Sequence, residues 1–399
     1  MIILHKKYVR YILERNIVIE IKIRFGHWWC LLTALRTLLR LLLIASALIA
    51  ATLIAAAVSR LIIVIAVTAL LAATLWALLV TATLAALTTL AERKVSAWIQ
   101  YRHGPNRVGP FGILQPLADG VKFIFKEELV PDGANKMMFL LAPTLAAMPA
   151  MMGIAVLPFA ATSPFYGDTG PLAIANLDLS VLYILAFGGL SIYGVILGGW
   201  ASNSKFSLLG ALRASAQMVS YELALLLSVG AILLMAGSAN LAEIASQQSG
   251  SLFNWFIFKQ PLAFLLFLIA TFAETNRHPF DFAECEPELV AGFHTEYSSM
   301  RFALFFLGEY CAIIVMCAMT ATFFLGGFNV PFWADAPWFV QAPVFLGKIC
   351  AFLFLFIWVR WTLPRFRFDQ LMALGWKVFL PLALANLFVT GGLVALEIY

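Results

Sequence analysis

The sequence predicts an all-α polytopic membrane protein, and three observations carry that prediction. Of 399 residues, 62% are hydrophobic and only 12% charged, against roughly 25% charged in a soluble domain, and mean hydropathy is +0.92. Apolar runs of spanning length recur eight times between residues 62 and 397. Lysine and arginine then alternate from loop to loop, as they do where short loops sit on opposite sides of a bilayer.

The chain divides into a basic extension, 1–60, and an eight-span membrane domain, 61–399. Residues 1–40 hold eight Lys/Arg against Glu14 and Glu20, and 41–59 are apolar. Three readings stand for this extension. It is a ninth span, although no Gly or Pro marks a turn around Val58 to Leu61. It is a signal peptide cut near Ala55-Ala56-Ala57, with an unusually long basic region. Or it is translated upstream of a later start, which would need a codon other than Met, since no Met lies between Met1 and Met137.

The predicted core spans lie near 62–90, 137–160, 178–200, 216–237, 253–275, 301–326, 341–363 and 377–397. The fifth is the shortest: its strictly apolar part, 261–273, reaches only about 20 Å, so it needs the preceding LFNWFIFKQ, with Lys259 snorkelling to an interface. Segment 91–136 carries seven Lys/Arg, 200–215 and 274–301 carry two each, and 360–377 carries four, whereas 161–177, 238–252 and 327–340 carry none. The charged loops are therefore predicted on the cytoplasmic side, with both ends of the eight-span core outside.

After the first span comes AERKVSAWIQYRHGPNRVGPFGILQPLADGVKFIFKEELVP, residues 91–131. Gly104-Pro105, Gly109-Pro110 and Gly112 make its first part an irregular loop. Over 113–128 the apolar Ile113, Leu114, Leu117, Val121 and Phe125 share one helical side, with Lys122, Lys126 and Glu127 elsewhere, the pattern of an interfacial helix. It reads either as an ordinary amphipathic surface helix or as a platform for a lipid-like substrate or a soluble partner.

Single carboxylates interrupt three apolar helices: Glu222, Glu274 and Glu309. Burial of a lone carboxylate favours its neutral form, and a group able to take and release a proton is what a relay needs; the alternative is a buried Glu hydrogen-bonded to a neighbouring helix. Between two spans lies AETNRHPFDFAECEPELVAGFHTEYSSMR, residues 273–301, with six carboxylates, two arginines and two histidines. Ionisable groups beside a bilayer are costly unless paired or wet, and so are functional candidates. Asp281, Glu284 and Glu288 recur at i, i+3 and i+7, one face if this stretch is helical, where they would titrate as a coupled set. Pro279, Pro287 and Gly292 predict instead a bent, partly helical loop, with Arg277 as its counter-charge. The alternative is a wet acidic loop, in which His278 and His294 are hydrogen-bond partners rather than pH sensors.

Five cysteines, Cys30, Cys285, Cys311, Cys317 and Cys350, show no ligand spacing, and no GxGxxG, GxxxxGK[ST] or HExxH pattern occurs. No metal, cluster or nucleotide site is predicted in this chain.

AERKVSAWIQYRHGPNRVGPFGILQPLADGVKFIFKE and AETNRHPFDFAECEPELVAGFHTEYSSMRFALFFLGEY closely resemble the two signature segments of the H-subunit family of bacterial NADH:quinone oxidoreductase, respiratory complex I. The resemblance covers about 62–399. It implies the membrane half of a quinone chamber, for ubiquinone or menaquinone, and the start of a proton path. Glu92, Arg93 and Lys94 then stand at the chamber entrance, with Arg277 and Asp281 also assigned to the chamber. Asp281 belongs with Glu284, Glu286 and Glu288 to the acidic loop beneath it. Glu222, Glu274 and Glu309 match the family's intramembrane carboxylates, and Glu296 its EYS glutamate. One departure is Ala283, where the family pattern has proline. The resemblance also implies partners: hydrophilic-arm subunits carrying flavin and Fe–S clusters, small and antiporter-like membrane subunits, and the lipid of the bacterial inner membrane, but no nucleic acid. Two other classes fit a polytopic chain with buried acids, a membrane component of a hydrogenase-type complex and a stand-alone transporter; the complete acidic loop argues against the first, and the lack of an obvious repeat against the second.

Overall fold

The computed structural model describes residues 79–163, 170–284, 286–333 and 336–396; the basic extension 1–60 and most of the first predicted span lie outside them. The described elements belong to one compact unit, Ala73–Tyr399. They are helical, apart from an isolated bridge between Val330 and Trp333.

The first helix, α1, runs over 79–99 among the described residues. It continues past the predicted end at 90, so Glu92, Arg93 and Lys94 are helical rather than in a loop. The next, α2 (Gln115–Phe125), follows a 3-10 turn at Pro110–Gly112 and exposes Leu117, Ile124 and Phe125, the outward apolar face expected of an interfacial helix. It is tied down by Arg93, 2.6 Å from Asp119, and by the Ser299 hydroxyl, which donates to the Phe123 carbonyl at 2.8 Å.

Among the described residues, six helical stretches are long and apolar enough to cross a membrane: Lys136–Val156, Ser180–Ala201, Lys205–Ala236, Ser299–Phe324, Trp338–Thr362 and Phe368–Ala395. Within them we label α3 (Lys136–Gly153), α4 (Ser180–Ala201) and α5 (Lys205–Ala236). After α6 (Leu241–Ser246), the fifth predicted span is broken into α7 (Phe256–Lys259) and α8 (Pro261–Glu274). Proline disfavours the helical region for the residue before it, and Gln260 accordingly sits at φ −132°, ψ 60°. Then come α9 (Glu286–Leu289), α10 (Ser299–Phe324), α11 (Trp338–Thr362), α12 (Phe368–Leu374) and α13 (Leu380–Ala395), the last two joined by a π-helical turn at Gly375–Phe379.

Two spans begin far ahead of their predicted starts. α5 starts at Lys205 instead of 216, and the last span at Phe368 instead of 377. Composition assigns Lys205, Arg213 and Lys377 to loops, but they mark the edge of the apolar layer; what ends a helix is its cap. α5 closes at Gly237, in the left-handed region at φ 63°, with its N–H on the Leu233 carbonyl.

α4 packs between α3 and α5, α5 also meets α8 and α13, and α10 lies against α3 and α11. Small residues let these backbones approach: a Cβ on Gly194 would stand 2.4 Å from the Ala146 amide nitrogen of α3. The 275–298 segment folds onto α5 as the predicted bent loop, helical only at Glu286–Leu289 and Gly292–His294. The condition for one acidic face therefore fails, because Asp281 and Glu284 lie outside α9, in non-helical chain. At its centre Gly292 has φ 60°, and a Cβ there would lie 1.7 Å from the Ala283 carbonyl oxygen. Gly210 of α5 packs against the Gly292 backbone, so closely that a Cβ on Gly210 would stand 2.8 Å from it. Gly292→Ala thus combines a left-handed strain of about 1–3 kcal/mol with a backbone collision. We expect it to abolish accumulation of the intact complex on native gels, while Gly120→Ala, which meets nothing within 4 Å, leaves the amount unchanged.

Candidate functional site

The ionisable residues converge where α1, α8, α10 and α11 meet. Glu92, in the last turns of α1, is buried. Its Oε1 takes an ion pair from Arg360, in the last turn of α11, and a second from Arg277 at 3.3 Å; the Tyr310 hydroxyl donates to Oε2 at 2.7 Å. Arg277, just beyond α8, is also buried, with its guanidinium carbon 4.8 Å from the centre of the Tyr310 ring. Its Nε lies 2.6 Å from Glu309 Oε1, an ion-pair contact whose N–H is not aligned for a hydrogen bond. Nη2 has no acceptor among the described residues. One arginine is thus shared by two carboxylates from different helices. Burial alone would lower its proton affinity, but Glu309 and Glu92 outweigh that and hold it firmly charged.

Three cavities adjoin this group. An apolar one of about 350 Å³ runs between α1, α10 and α11, lined by Leu84, Leu87, Val95, Ile314, Leu346 and Leu353 among others. It shares Thr88, Ala91, Leu353 and Ile357 with a smaller pocket of about 40 Å³ that contains Glu92, Arg277, Tyr310 and Arg360. Beyond the Arg277–Glu309 pair lies a third, of about 80 Å³, lined by Glu274, Glu284, Glu309, His294, Asn276 and Ser191. Those polar side chains stand in a wall that is otherwise mostly apolar, formed by Phe293, Phe305, Phe306 and Ala312 among others, and the space has room for several waters. An apolar passage therefore ends at charged groups, and those groups touch a second cavity into which three carboxylates reach.

The acidic loop has counter-charges of its own. Asp281 Oδ2 lies 2.9 Å from Arg365 and 3.2 Å from His278 Nε2. Burial alone would raise this carboxyl, but the His278 hydrogen bond and the Arg365 charge hold it below the usual carboxylate range. Glu288 pairs with Arg213 at 2.5 Å. Arg277, expected as the partner of this loop, pairs instead with Glu92 and Glu309. His294 is buried with its ring edge-on to Phe293, Phe302 and Phe306. That burial, only partly offset by Asp281, pushes the imidazole down to about 4.

Of the residues singled out in the sequence, Glu92, Arg277 and Glu309 meet directly, and Glu274 and Glu284 join Glu309 at the 80 Å³ cavity. Glu222 lies on α5 against α4. Arg93 and Lys94 turn away from the cavities, Arg93 to Asp119 and Lys94 to the Phe111 carbonyl. Glu296 is half-buried outside this cluster, and the Glu286 side chain lies outside the described ones, as do Cys30 and Cys285. Sequence reasoning misses Tyr310, Arg360, Arg365 and Arg213. A signal exists in GEY and VRWTLPRFR, but loop counting treats those arginines only as markers of orientation. Among the described residues no cluster of His, Cys, Asp or Glu has the geometry to hold a metal.

Residues 72–391 match a protein-family model described as NADH dehydrogenase. The chain is 53% identical over 315 residues to an H-subunit of NADH-quinone oxidoreductase from Geobacter metallireducens, covering 79% of this chain and 93% of that protein. It is 51% identical over 315 residues to the NADH-quinone oxidoreductase H-subunit of Thermomicrobium roseum, covering 77% and 91%. To the protein of the same name from Leptospira biflexa it is 53% identical over 313 residues, covering 75% and 87%.

His294 gives the site a pH signature. Its folded-state value of about 4 lies below the ordinary 6.5, so the folded form holds it neutral. That contribution is complete above pH 6.5 and is lost as pH falls toward 4; the contribution of Asp281, depressed from 3.8, is lost only in still stronger acid. Between pH 6.5 and 5 one such group accounts for up to about 2 kcal/mol. Thermal unfolding of the complex at pH 7.5 and 5 should show His294→Phe losing less stability than the parent; equal losses would exclude His294 as the titrating group.

Proposed function

The chain belongs to the H-subunit family of NADH-quinone oxidoreductase, and from that premise we propose that its apolar cavity and adjoining charge cluster form the membrane part of a quinone reduction chamber and the first part of a proton-coupling path. The observation that carries this reading is Arg277, held by Glu92 on the side of the apolar passage and by Glu309 on the side of the cavity that Glu274 and Glu284 also line. None of the relatives supports the hydrogenase-type alternative.

A quinone has an isoprenoid tail that prefers an apolar medium and a polar head that must reach an electron donor. The 350 Å³ passage suits the tail, and the pocket of Glu92, Arg277, Tyr310 and Arg360 suits the head. Arg277 Nη2, which has no acceptor among the described residues, is a buried donor from which a quinone oxygen can accept a hydrogen bond. We assign the reduction itself to hydrophilic-arm partners that carry flavin and Fe–S clusters, as the family resemblance implies, and the onward path to small and antiporter-like membrane subunits.

Coupling follows from the sharing. An arginine does not deprotonate in a protein, so charge near the quinone head must be answered by its position or by its partners. When negative charge on the reduced head draws the guanidinium toward Glu92, Glu309 is left with a weaker counter-ion and balances its charge with a proton. The carboxylates around that cavity, Glu274, Glu284 and Glu309, then exchange protons as a coupled set, with Glu222 beyond them; Glu286, Glu288 and Glu296 stand on the loop that closes the cavity's rim. We assign the chain to the bacterial cytoplasmic membrane, with the arginine- and lysine-rich loops on the cytoplasmic side.

The test is Glu92→Gln in membranes with verified intact complex. Glu92→Gln removes the buried negative charge that holds Arg277 and Arg360, so inhibitor-sensitive NADH:quinone turnover should fall, on the order of 10-fold for a misplaced head group, while NADH:ferricyanide activity, which bypasses this chain, is kept. Leu353→Trp, in the wall shared by passage and pocket, should raise KM for quinone. Full quinone-linked turnover in Glu92→Gln would refute the chamber assignment.

A further inference from the structure

On α4, a β-carbon would stand closer than 3.0 Å to another group at Gly189, Gly194 and Gly199. At Gly194 the neighbour is Ala146 of α3, and at Gly199 it is Ser207 and Ala211 of α5; both are places where backbones approach. At Gly189 the neighbour is a carboxylate: Glu222 Oε1 lies 2.8 Å from where the β-carbon would be, with Cδ at 3.7 Å and Oε2 at 3.8 Å. One residue earlier, the corresponding point on Gly188 is 4.0 Å from Glu274 Oε1, an ordinary contact distance. Two carboxylates, one from α5 and one from α8, therefore reach the same turn of α4. Glu274 Oε2 is buried with no hydrogen-bond partner among the described residues. The nearby Ser191 hydroxyl is already donated to the Gly188 carbonyl at 2.7 Å.

We propose that the absent side chain at position 189 sets where Glu222 holds its carboxyl group, making Gly189 a positioning residue of the proton path that acts through Glu222. This rests on the reading of Glu222 as a proton carrier. Proton transfer between carboxyl groups, directly or through one water, needs heavy atoms about 2.6–3.2 Å apart. A methyl at 189 must displace Oε1 by several tenths of an ångström to reach normal contact. Because that oxygen ends a flexible side chain, the carboxyl moves while α4 and α5 keep their packing. The change thus falls on proton transfer rather than on the fold or on the quinone pocket, whose residues lie on α1, α10 and α11 and just beyond α8.

The experiment compares Gly189→Ala, Gly188→Ala and Glu222→Gln in intact, native-gel-verified complex, reading proton pumping and inhibitor-sensitive NADH:quinone turnover against quinone concentration. A misplacement of about 1 Å costs on the order of 100-fold. We expect Gly189→Ala to lose roughly 10- to 100-fold in kcat and to lose pumping with it, at unchanged KM for quinone and unchanged NADH:ferricyanide activity. Gly188→Ala should match the parent. Full kcat in Gly189→Ala with an impaired Glu222→Gln overturns the positioning role alone; a fully active Glu222→Gln overturns the reading beneath it. Equal losses in both glycine variants, a raised KM, or failure of Gly189→Ala to assemble would mark position 189 as a packing site and overturn the proposal.

Discussion

The buried guanidinium of Arg277 is the group on which the rest of the arrangement depends. Taking a charge out of water costs several kcal/mol even after relaxation, and here the cost is offset by Glu92 at 3.3 Å, Glu309 at 2.6 Å and the face of Tyr310. Glu92 is in turn secured by Arg360 and by the Tyr310 hydroxyl. Four helical segments are joined in this way through side chains rather than through apolar packing alone. Arginine suits the position and lysine would not, because a planar fork offers donors in two directions and keeps its charge.

The surrounding cavities give that ion cluster its consequence. An apolar passage reaches it from one side and a carboxylate-lined cavity from the other, so a change of charge on one side alters the counter-ion available on the other. If the proposed chamber and proton path are coupled through this cluster, the linkage is reciprocal, as any coupling between two binding equilibria must be. The acidic loop beneath stays in place through separate pairs, Asp281 with Arg365 and Glu288 with Arg213, and through a backbone contact at Gly292 that leaves no room for a side chain. These anchors hold the loop without drawing on Arg277.

Much of the fold was legible because membrane spans are written in composition: six of the predicted runs return as spanning helices, and a seventh as the broken pair α7 and α8. Helix ends were less legible. Charged residues at 205, 213 and 377 mark where the apolar layer stops, whereas helix ends follow caps and backbone geometry, such as Gly237 at α5 and Gln260 before Pro261. The intramembrane carboxylates could be singled out because each is a lone charge in an apolar run, and the structure brings Glu309 and Glu274 to one cavity. Their counter-ions could not be found that way. Arg360 and Arg365 are separated from Glu92 and Asp281 by 268 and 84 residues, and pairing at that distance is set by how helices pack, which a periodic pattern does not record. For the same reason sequence proximity matches Arg277 with its nearest acids rather than with Glu92 and Glu309, and Gly189 looks like any other small residue in a membrane helix.

The most direct test of the account is inhibitor-sensitive NADH:quinone activity, with proton pumping measured alongside, in membranes carrying Arg277→Ala and a verified intact complex. Loss of both activities with NADH:ferricyanide activity retained is predicted, because the charge shared between the proposed quinone pocket and the carboxylate cavity is gone. Normal turnover and pumping would contradict it, and would leave Arg277 as a structural counter-ion with the coupling carried elsewhere.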